Sequence, residues 1–588
     1  MKPPRQAWLI GPLTDISFFI AAPLAIVPTF QLLLGLLPFD ALKLAILSVS
    51  ATGHHLPGFI RAYTDKGIFD RFRYRLLIVP PLFILVAGAS AYFKLTLVFF
   101  ILIAWSTWHG AMQILGFLRI YDVKAGFQSR TTARLDFWMC LCWFLQVVLW
   151  SAPKKASLLS SFYAAGGPLL PFRAVHAFES AWFAFTALVT AAFLANGAAD
   201  WRRSGYVNGR KLLCMASSFG FWGYCMIGVN NLILGLILWE IFHDLQYNVF
   251  VWDYNRKRVD RGLSQSAFEA FLFRWDAGKI ALYALCIVAY GSLGLLSQDT
   301  VNAYQNGKTY GTALAQIGNV FAASAMIHFY LDGFIWKVRD GKVQRDLGLA
   351  AGEGFISRPK ALHFALVALF CSAAAALGLS EYRQWNAPPG EQADNLARLV
   401  PGSGYANFLK ASFLQQEGRG DSAIVYYQRA IAADTNYGAA RAFIADLKAG
   451  AGDLEGAIAQ FETLAAQDPQ DIEVRDNLAQ LYLRTGRFEK ARGEYAWLAA
   501  SDPSNPGYAY QTAWSLLQLK RGLEAKPYLE KTLALDPAQP RALNYLGMVE
   551  QAAGNTDRAR RWYRKALDLD STYAHARENL NALPPANR

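Results

Sequence analysis

Apolar runs of about 20 residues, the length at which a helix crosses the hydrocarbon core of a bilayer, recur through the first two thirds of the chain. They fall near 14–37, 41–62, 75–93, 95–119, 133–152, 178–196, 211–228, 231–253, 277–296, 311–337 and 361–380, which predicts eleven spans. Of the 588 residues, 54% belong to the set AVILMFWYC, and the mean hydropathy is +0.18. That is too apolar for an ordinary soluble enzyme of this length. The first run follows Lys2 and Arg5, contains Asp15 and continues past signal-peptide length without a small-x-small cleavage site, so it reads as a retained first span. Six cysteines, 140, 142, 214, 225, 286 and 371, all lie in apolar segments and form no CxxC pair. They read as small buried apolar residues, with no disulfide framework or thiolate zinc site.

The charge is unevenly spread. Residues 1–381 hold 33 Lys and Arg against 20 Asp and Glu, whereas residues 382–588 hold 24 of each, so the net +13 sits in the apolar part. Membrane orientation accounts for this more simply than an acidic substrate, and no nucleic-acid partner is expected. Basic connectors carry Arg61, Lys66, Arg71, Arg73 and Arg75, then Arg119, Lys124, Arg130 and Arg134, then Arg202, Arg203, Arg210 and Lys211. Two more carry Arg256, Lys257, Arg258 and Arg261, and Lys337, Arg339, Lys342 and Arg345. They alternate with poorer loops such as "LLPFD", "GVNN" and "SQDTVNAYQNG". The positive-inside rule puts the basic set, and the N-terminus, in the cytoplasm. Eleven spans then leave the C-terminal part outside, in the periplasm of a bacterial inner-membrane protein.

From Gly404 onward the pattern changes. Gly418, Gly452, Gly486, Lys520 and Gly554 are 34 residues apart, as are Ala423, Ala457, Ala491, Ala525 and Ala559. Asp434, Asp468, Asp502, Asp536 and Asp570 keep the same period, and "DP" closes three of the units. The small residues let two helices approach, and Asp-Pro ends one unit and starts the next. Residues 404–573 thus resemble five tetratricopeptide (TPR) repeats, each a 34-residue helical hairpin. The resemblance implies a concave groove that docks a protein or peptide, here on the periplasmic side, and no chemistry of its own. Residues 574–588 read as a capping helix and tail, and 382–403 as a linker. The expected fold class is all-α, a polytopic transmembrane helix bundle of 1–381 followed by a TPR α-solenoid.

Eight histidines divide into two groups. His176, His363 and His575 lie at span edges or in the repeats and read as surface or interface residues. His54, His55, His109, His243 and His328 lie within predicted spans, in "TGHHLPG", "STWHGAMQILG", "EIFHDLQYNVF" and "AMIHFYLDG". The spans concerned are the second, fourth, eighth and tenth, which all run from outside to inside. Counted to the next basic residue at 1.5 Å per residue, the imidazoles of 55, 109, 243 and 328 lie roughly 9, 15, 20 and 14 Å from the cytoplasmic edge. A bundle that gathers these helices would hold a multi-histidine centre.

The neighbours fit a metal site. Gln113 and Asp332 follow His109 and His328 by four residues, and Gln246 follows His243 by three, so each pair shares a face. Glu240 and Asp244 flank His243, with Asn248 one turn beyond Asp244. Such carboxylates and amides ligate a metal or orient an imidazole. His54 and His55 point about 100° apart on a regular helix. Either a kink at Pro57 aims both inward, or one ligates while the other hydrogen-bonds. The metal set is therefore His54, His55, His109, His243, His328 and Asp332, with Gln113, Glu240, Asp244, Gln246 and Asn248 as further ligands or supports. Haem binding, a proton path and polar packing remain open beside metal ligation. A third class, a transporter with a histidine proton relay, lacks the internal duplication of spans that would support it.

Imidazole with carboxylate and no thiolate suits iron first, with one or two ions, and zinc or copper as alternatives. Histidine-bound non-haem iron with open positions activates oxygen, and a site within the bilayer favours a lipid or isoprenoid substrate. The layout of single histidines over several spans loosely resembles membrane non-haem iron oxygenases: the bacterial carotene dioxygenases, and in principle the fatty-acid desaturases, whose HxxxH and HxxHH boxes are absent here. The four stretches also resemble uncharacterised histidine-containing bacterial multi-span membrane proteins with "HxxQY" and "HFYLDGxIW"-like segments, which implies no activity. The expectation is a membrane metal-dependent oxygenase or oxidoreductase. The alternative is a membrane-anchored TPR scaffold for envelope or cytochrome assembly, with haem-binding or structural histidines. "DYNRKR" (Asp253–Arg258) and "FIWKVRD" read as topological anchors, or as binders of an anionic headgroup near the site.

Overall fold

The computed structural model describes residues 8–126, 129–229, 232–264, 266–292, 313–336, 360–435 and 437–585. Every regular element among them is helical, and the chain divides into two units, Met1–Ala406 and Asn407–Arg588.

In the first unit each predicted run meets at least one helix. Pro12–Ile20 and Ala22–Leu36 form a pair bent by 52°. The second run breaks into Phe39–Ala45, a π-helix Ile46–Thr52 and the helix His55–Thr64. Then come Lys66–Tyr92, Leu97–Lys124, Arg130–Trp150, Phe172–Ser204, Gly209–Gly223, Leu232–Asp260, Ala277–Ser292, Ala313–Ile335 and Lys360–Arg383. Caps set several starts: Asp65 accepts from the Ile68 N–H, Ser129 from Thr132 and Asn208 from Lys211.

By length and composition, four described helices suffice to cross a membrane, Lys66–Tyr92, Phe100–Lys124, Arg130–Trp150 and Phe172–Ser204, or five if the bent pair is one span. That falls short of eleven. Gly209–Gly223 has 15 residues as α-helix before it passes into a π-helix, Tyr224–Gly228, and the described part of Ala277–Ser292 has 16. The second run is interrupted at Gly53, and Leu232–Asp260 is diluted by Glu240, His243, Asp244, Gln246 and Asn248. The ends predicted at 293–296 and 337, the loop "SQDTVNAYQNG" and the basic group Lys337, Arg339, Lys342 and Arg345 lie outside the described residues. The qualifying helices turn apolar side chains outward. Leu77, Leu82 and Leu85, and Phe178, Phe183, Leu188 and Leu194, are each half exposed or more. So large an apolar surface marks contact with something other than water.

Several basic residues expected at span ends are buried in ion networks instead. Arg119 Nη1 contacts Asp122 Oδ2 at 2.8 Å and Asp136 Oδ2 at 3.0 Å. Lys211 Nζ reaches Asp122 Oδ2 and Asp136 Oδ1, both at 2.7 Å, and Asn208 Nδ2 donates to Asp122. Arg258 likewise joins Asp65 at 2.7 Å and Glu269 at 3.5 Å. Burial also qualifies the cysteine expectation: Cys140, Cys142, Cys214 and Cys225 are buried, Cys286 is partly so, and Cys371 is exposed. All six are free thiols. The segment expected as a linker carries a helix, Pro389–Leu399, which packs against Ala152–Ala164 and Phe172–Ser204. Leu396 and Leu399 on it are buried, so its apolar face gives it a partner that a linker reading leaves out.

From Gly404, just ahead of the second unit, the chain is a run of helical hairpins: Gly404–Gln416 with Gly420–Ala433, Gly438–Gly450 with Leu454–Gln467, and Ile472–Arg484 with Phe488–Ser501. Pro506–Gln518 with Gly522–Leu535 and Pro540–Ala552 with Thr556–Leu569 follow, then the single helix Ala574–Asn581. The five periodic alanines are fully buried, where any larger side chain would hold the helices apart. Asp468, Asp502, Asp536 and Asp570 each accept the N–H two residues on, an Asx turn that ends one hairpin and starts the next. Gly418, Gly452, Gly486 and Gly554 have φ between 70° and 89°, and Lys520 takes the same left-handed position at φ 59°. A side chain there is strained by about 1–2 kcal/mol. Lys520→Gly is therefore expected to raise the stability of the repeats by about 0.5–1 kcal/mol after its own entropy cost, read as a higher urea midpoint.

Candidate metal centre

His54, His55, His109, His243 and His328 come from four separate stretches and meet at one place. Ring centroids lie 4.6 Å apart for His54–His55, His54–His328 and His55–His328. They are 4.9 Å apart for His109–His328, 5.0 Å for His109–His243 and 5.5 Å for His54–His243. All five residues are at most 9% exposed. Arg256 and Lys257 lie inside a helix that runs on to Asp260, so Arg256 does not mark the end of the helix that carries His243.

The sequence left open how adjacent histidines both point inward. The chain approaches as a π-helix over Ile46–Thr52, turns at Gly53 and His54, and restarts as an α-helix at His55. The change of pitch re-aims the two rings. Pro57 does not kink anything; it occupies the first turn of the new helix, where no backbone partner is lost. Gly53 permits the turn, since a Cβ there would lie 2.1 Å from the Val49 carbonyl oxygen and 2.8 Å from that of Ile287. Gly58 serves the same face, where a Cβ would meet the Tyr247 hydroxyl at 2.8 Å.

Three overlapping sets have ligand atoms all within 4.8 Å of one another: His54, His55 and His328; His54, His243 and Asp244; His109, His328 and Asp332. Ligands at about 2.0–2.2 Å from an ion lie roughly 3–4 Å apart, so small movements would complete a shell. His54 Nε2 faces His328 Nε2 at 3.1 Å. Asp332 Oδ2 lies 3.7 Å from His328 Nε2 and 3.8 Å from His109 Nε2. The outer atoms of several rings are held from behind. His54 Nδ1 is 2.8 Å from Asp244 Oδ1, whose other oxygen accepts from Ser50 at 2.6 Å. His55 Nδ1 pairs with Ser324 Oγ at 2.9 Å, and Tyr290 with Ser324 at 2.8 Å. Tyr247 and Trp336 both donate to Asp332 Oδ1 at 3.1 Å. A carboxylate or hydroxyl behind an imidazole fixes its tautomer and presents the other nitrogen.

The remaining expected residues divide. Glu240 accepts from Ser106 at 3.0 Å and belongs to none of the three sets. Gln113 donates to the His243 carbonyl at 3.1 Å, so it braces a helix. Gln246 is fully buried with both side-chain polar atoms unpartnered, and Asn248 Oδ1 is unpartnered too. His176 and His575 pair loosely with Glu179 and Glu578, whereas the side chain of His363 lies outside the described residues. Sequence reasoning missed Ser50, Ser324, Tyr247, Tyr290 and Trp336. Tyr247 and Trp336, each four residues from His243 or Asp332, carried a helical-spacing signal; the serines and Tyr290 carried none.

The chain thus joins a helical unit with a buried histidine–carboxylate centre to a TPR array. One tetratricopeptide repeat family profile matches residues 414–476 and 448–513, and a second such profile matches 510–574. Among solved structures, YrrB, a TPR protein with an unusual peptide-binding site, aligns at 14% identity and a TM-score of 0.30, over 32% of this chain and 97% of its own. A crystal structure of MamA aligns at 20% identity and a TM-score of 0.26, over 28% of this chain and 96% of its own. No curated protein matches the chain. The second unit is a TPR protein-interaction domain.

Proposed function

We propose that residues 1–381 form a polytopic bundle of eleven spans in a bacterial inner membrane, and that the histidine centre holds one or two transition-metal ions, iron first. The protein then acts as a metal-dependent oxygenase or oxidoreductase on a lipid-soluble substrate, with the TPR domain docking a periplasmic partner. The single observation carrying this is the convergence of five buried imidazoles with Asp332 and Asp244 behind or beside them. Packing these groups for structure alone would bury five polar rings and two carboxylates at a desolvation cost that a cation removes. Pairing of helix ends supports the alternation of the predicted spans. Arg61, Tyr254 and Trp336 meet at the ends of predicted spans two, eight and ten. At the opposite ends Glu381 accepts from the Thr96 and Leu97 N–H groups, and Tyr163 donates to Asn395.

Elemental analysis of protein purified without chelators is expected to give one or two transition-metal ions per chain and no Soret band. Metal-free protein would leave the membrane-anchored scaffold, and a Soret band would turn the centre to haem. Orientation has its own check. Ser504, exposed in the repeats, changed to cysteine in a chain lacking Cys371, is expected to react with an impermeant maleimide on spheroplasts that keep the inner membrane sealed. Labelling only after lysis would put the repeats in the cytoplasm.

A further inference from the structure

Arg61 is 1% exposed, and its guanidinium lies between two aromatic faces, 4.1 Å from the Tyr254 ring centroid and 4.0 Å from that of Trp336. Nη2 donates to the Tyr254 hydroxyl at 2.9 Å, while Nε and Nη1 have no acceptor. Stacking satisfies the faces of a guanidinium but not its in-plane N–H groups, which call for anionic oxygens. Three equally buried cations in this unit, Arg119, Lys211 and Arg258, each touch two carboxylates, whereas Lys154 donates to the Val229 carbonyl. Arg61 touches none among the described residues. The carboxylates near it are engaged, Asp65 by Arg258, and Asp332 by Tyr247 and Trp336. Asp332 lies within electrostatic range of the guanidinium but makes no hydrogen bond to it, so Nε and Nη1 stay unpaired, and a buried N–H without an acceptor is costly.

Its position gives this meaning. Arg61 follows His55 by six residues on one helix, about 9 Å along the axis. Trp336 stands between, its ring on Arg61 and its Nε1 on Asp332. We propose that Arg61 anchors an anion-binding site that takes the carboxylate or phosphate of an amphipathic substrate whose chain extends toward the histidine centre. The substrate assignment rests on the metal-centre reading above; the anion site does not. Trp336 and Tyr254 confine the anion to the plane of the guanidinium, so the group that fits is small and planar or tetrahedral.

The test uses the full-length protein in a non-ionic detergent, with metal content measured on the same samples. Probes are dodecanoate, dodecyl phosphate, dodecanol and inorganic phosphate, read by tryptophan fluorescence and by the shift in thermal midpoint. Dodecanoate or dodecyl phosphate is expected to bind saturably and raise the midpoint, and dodecanol to do neither. Arg61→Met is expected to weaken the binding at least tenfold, and Arg61→Lys to keep part of it. Inorganic phosphate binding as tightly as dodecyl phosphate would still support the site, with a free anion as its occupant. Anion binding to protein found free of metal supports the site and removes the metal reading. Equal binding of dodecanol and dodecanoate to the wild-type protein overturns the proposal without needing any variant to fold, as does anion binding unchanged in Arg61→Met.

Discussion

Changing His109 and His328 together to alanine is expected to reduce bound transition metal to less than a tenth of the wild-type content, with the elution profile of the protein unchanged. The two rings come from different helices and share Asp332 as a neighbour, at 3.8 and 3.7 Å. His328 belongs to two of the three ligand sets, and removing it with His109 leaves only His54, His243 and Asp244 intact. Asp244→Asn is the graded counterpart. It keeps all the imidazoles but removes the charge that holds His54 Nδ1. Loss of such outer partners costs 10–100-fold in metal affinity, so this variant should lose metal to a chelator sooner than wild type while still loading fully at excess metal. Full loading of the double alanine variant would remove both histidines from the ligand list.

The other large effect lies in the charge network of Arg119, Asp122, Asp136 and Lys211. Two cations and two carboxylates, all at most 5% exposed, neutralise one another there. Asp136→Ala leaves two buried cations facing one carboxylate. Breaking such a pair costs about 3–5 kcal/mol, so the thermal midpoint of the purified protein should fall sharply. The sign of the comparison matters more than its size. Asp136→Leu with Lys211→Met removes one charge of each kind, and replacing a pair by apolar groups is often neutral. The double variant is therefore expected to be more stable than either single one. A double variant as damaged as the sum of its parts would mean that packing, and not charge, holds this corner together.

Much of the fold was legible because its signals are periodic. The 34-residue recurrence set the hairpins of the repeats, since each periodic residue answers a local demand: alanine at the crossing, glycine at the left-handed turn, aspartate at the Asx turn. Apolar length located the helices of the first unit. It did not decide which of them meet the length and apolarity of a span: the helix with His109 does, whereas Leu232–Asp260 is diluted by the polar residues around His243 and the run with His54 and His55 is broken at Gly53. Helical spacing found Asp332 beside His328 but misjudged Gln113, which turns to a backbone carbonyl. The aim of His54 and His55 was unreadable, since it depends on a π-helical turn with no local sequence mark. The basic residues were read as orientation signals, and only packing reveals Arg119, Lys211 and Arg258 as partners of buried carboxylates. The helix Pro389–Leu399 was hidden for a related reason: its burial depends on distant helices.

A transition metal is expected to sit among these imidazoles. X-ray absorption at the metal edge of the protein as purified measures this directly. The expected spectrum has three or more nitrogen scatterers at about 2.0–2.2 Å, with the outer-shell pattern of imidazole rings, and it changes in the His109→Ala, His328→Ala variant. An absent edge, or a shell of oxygen or sulfur without imidazole, would contradict it.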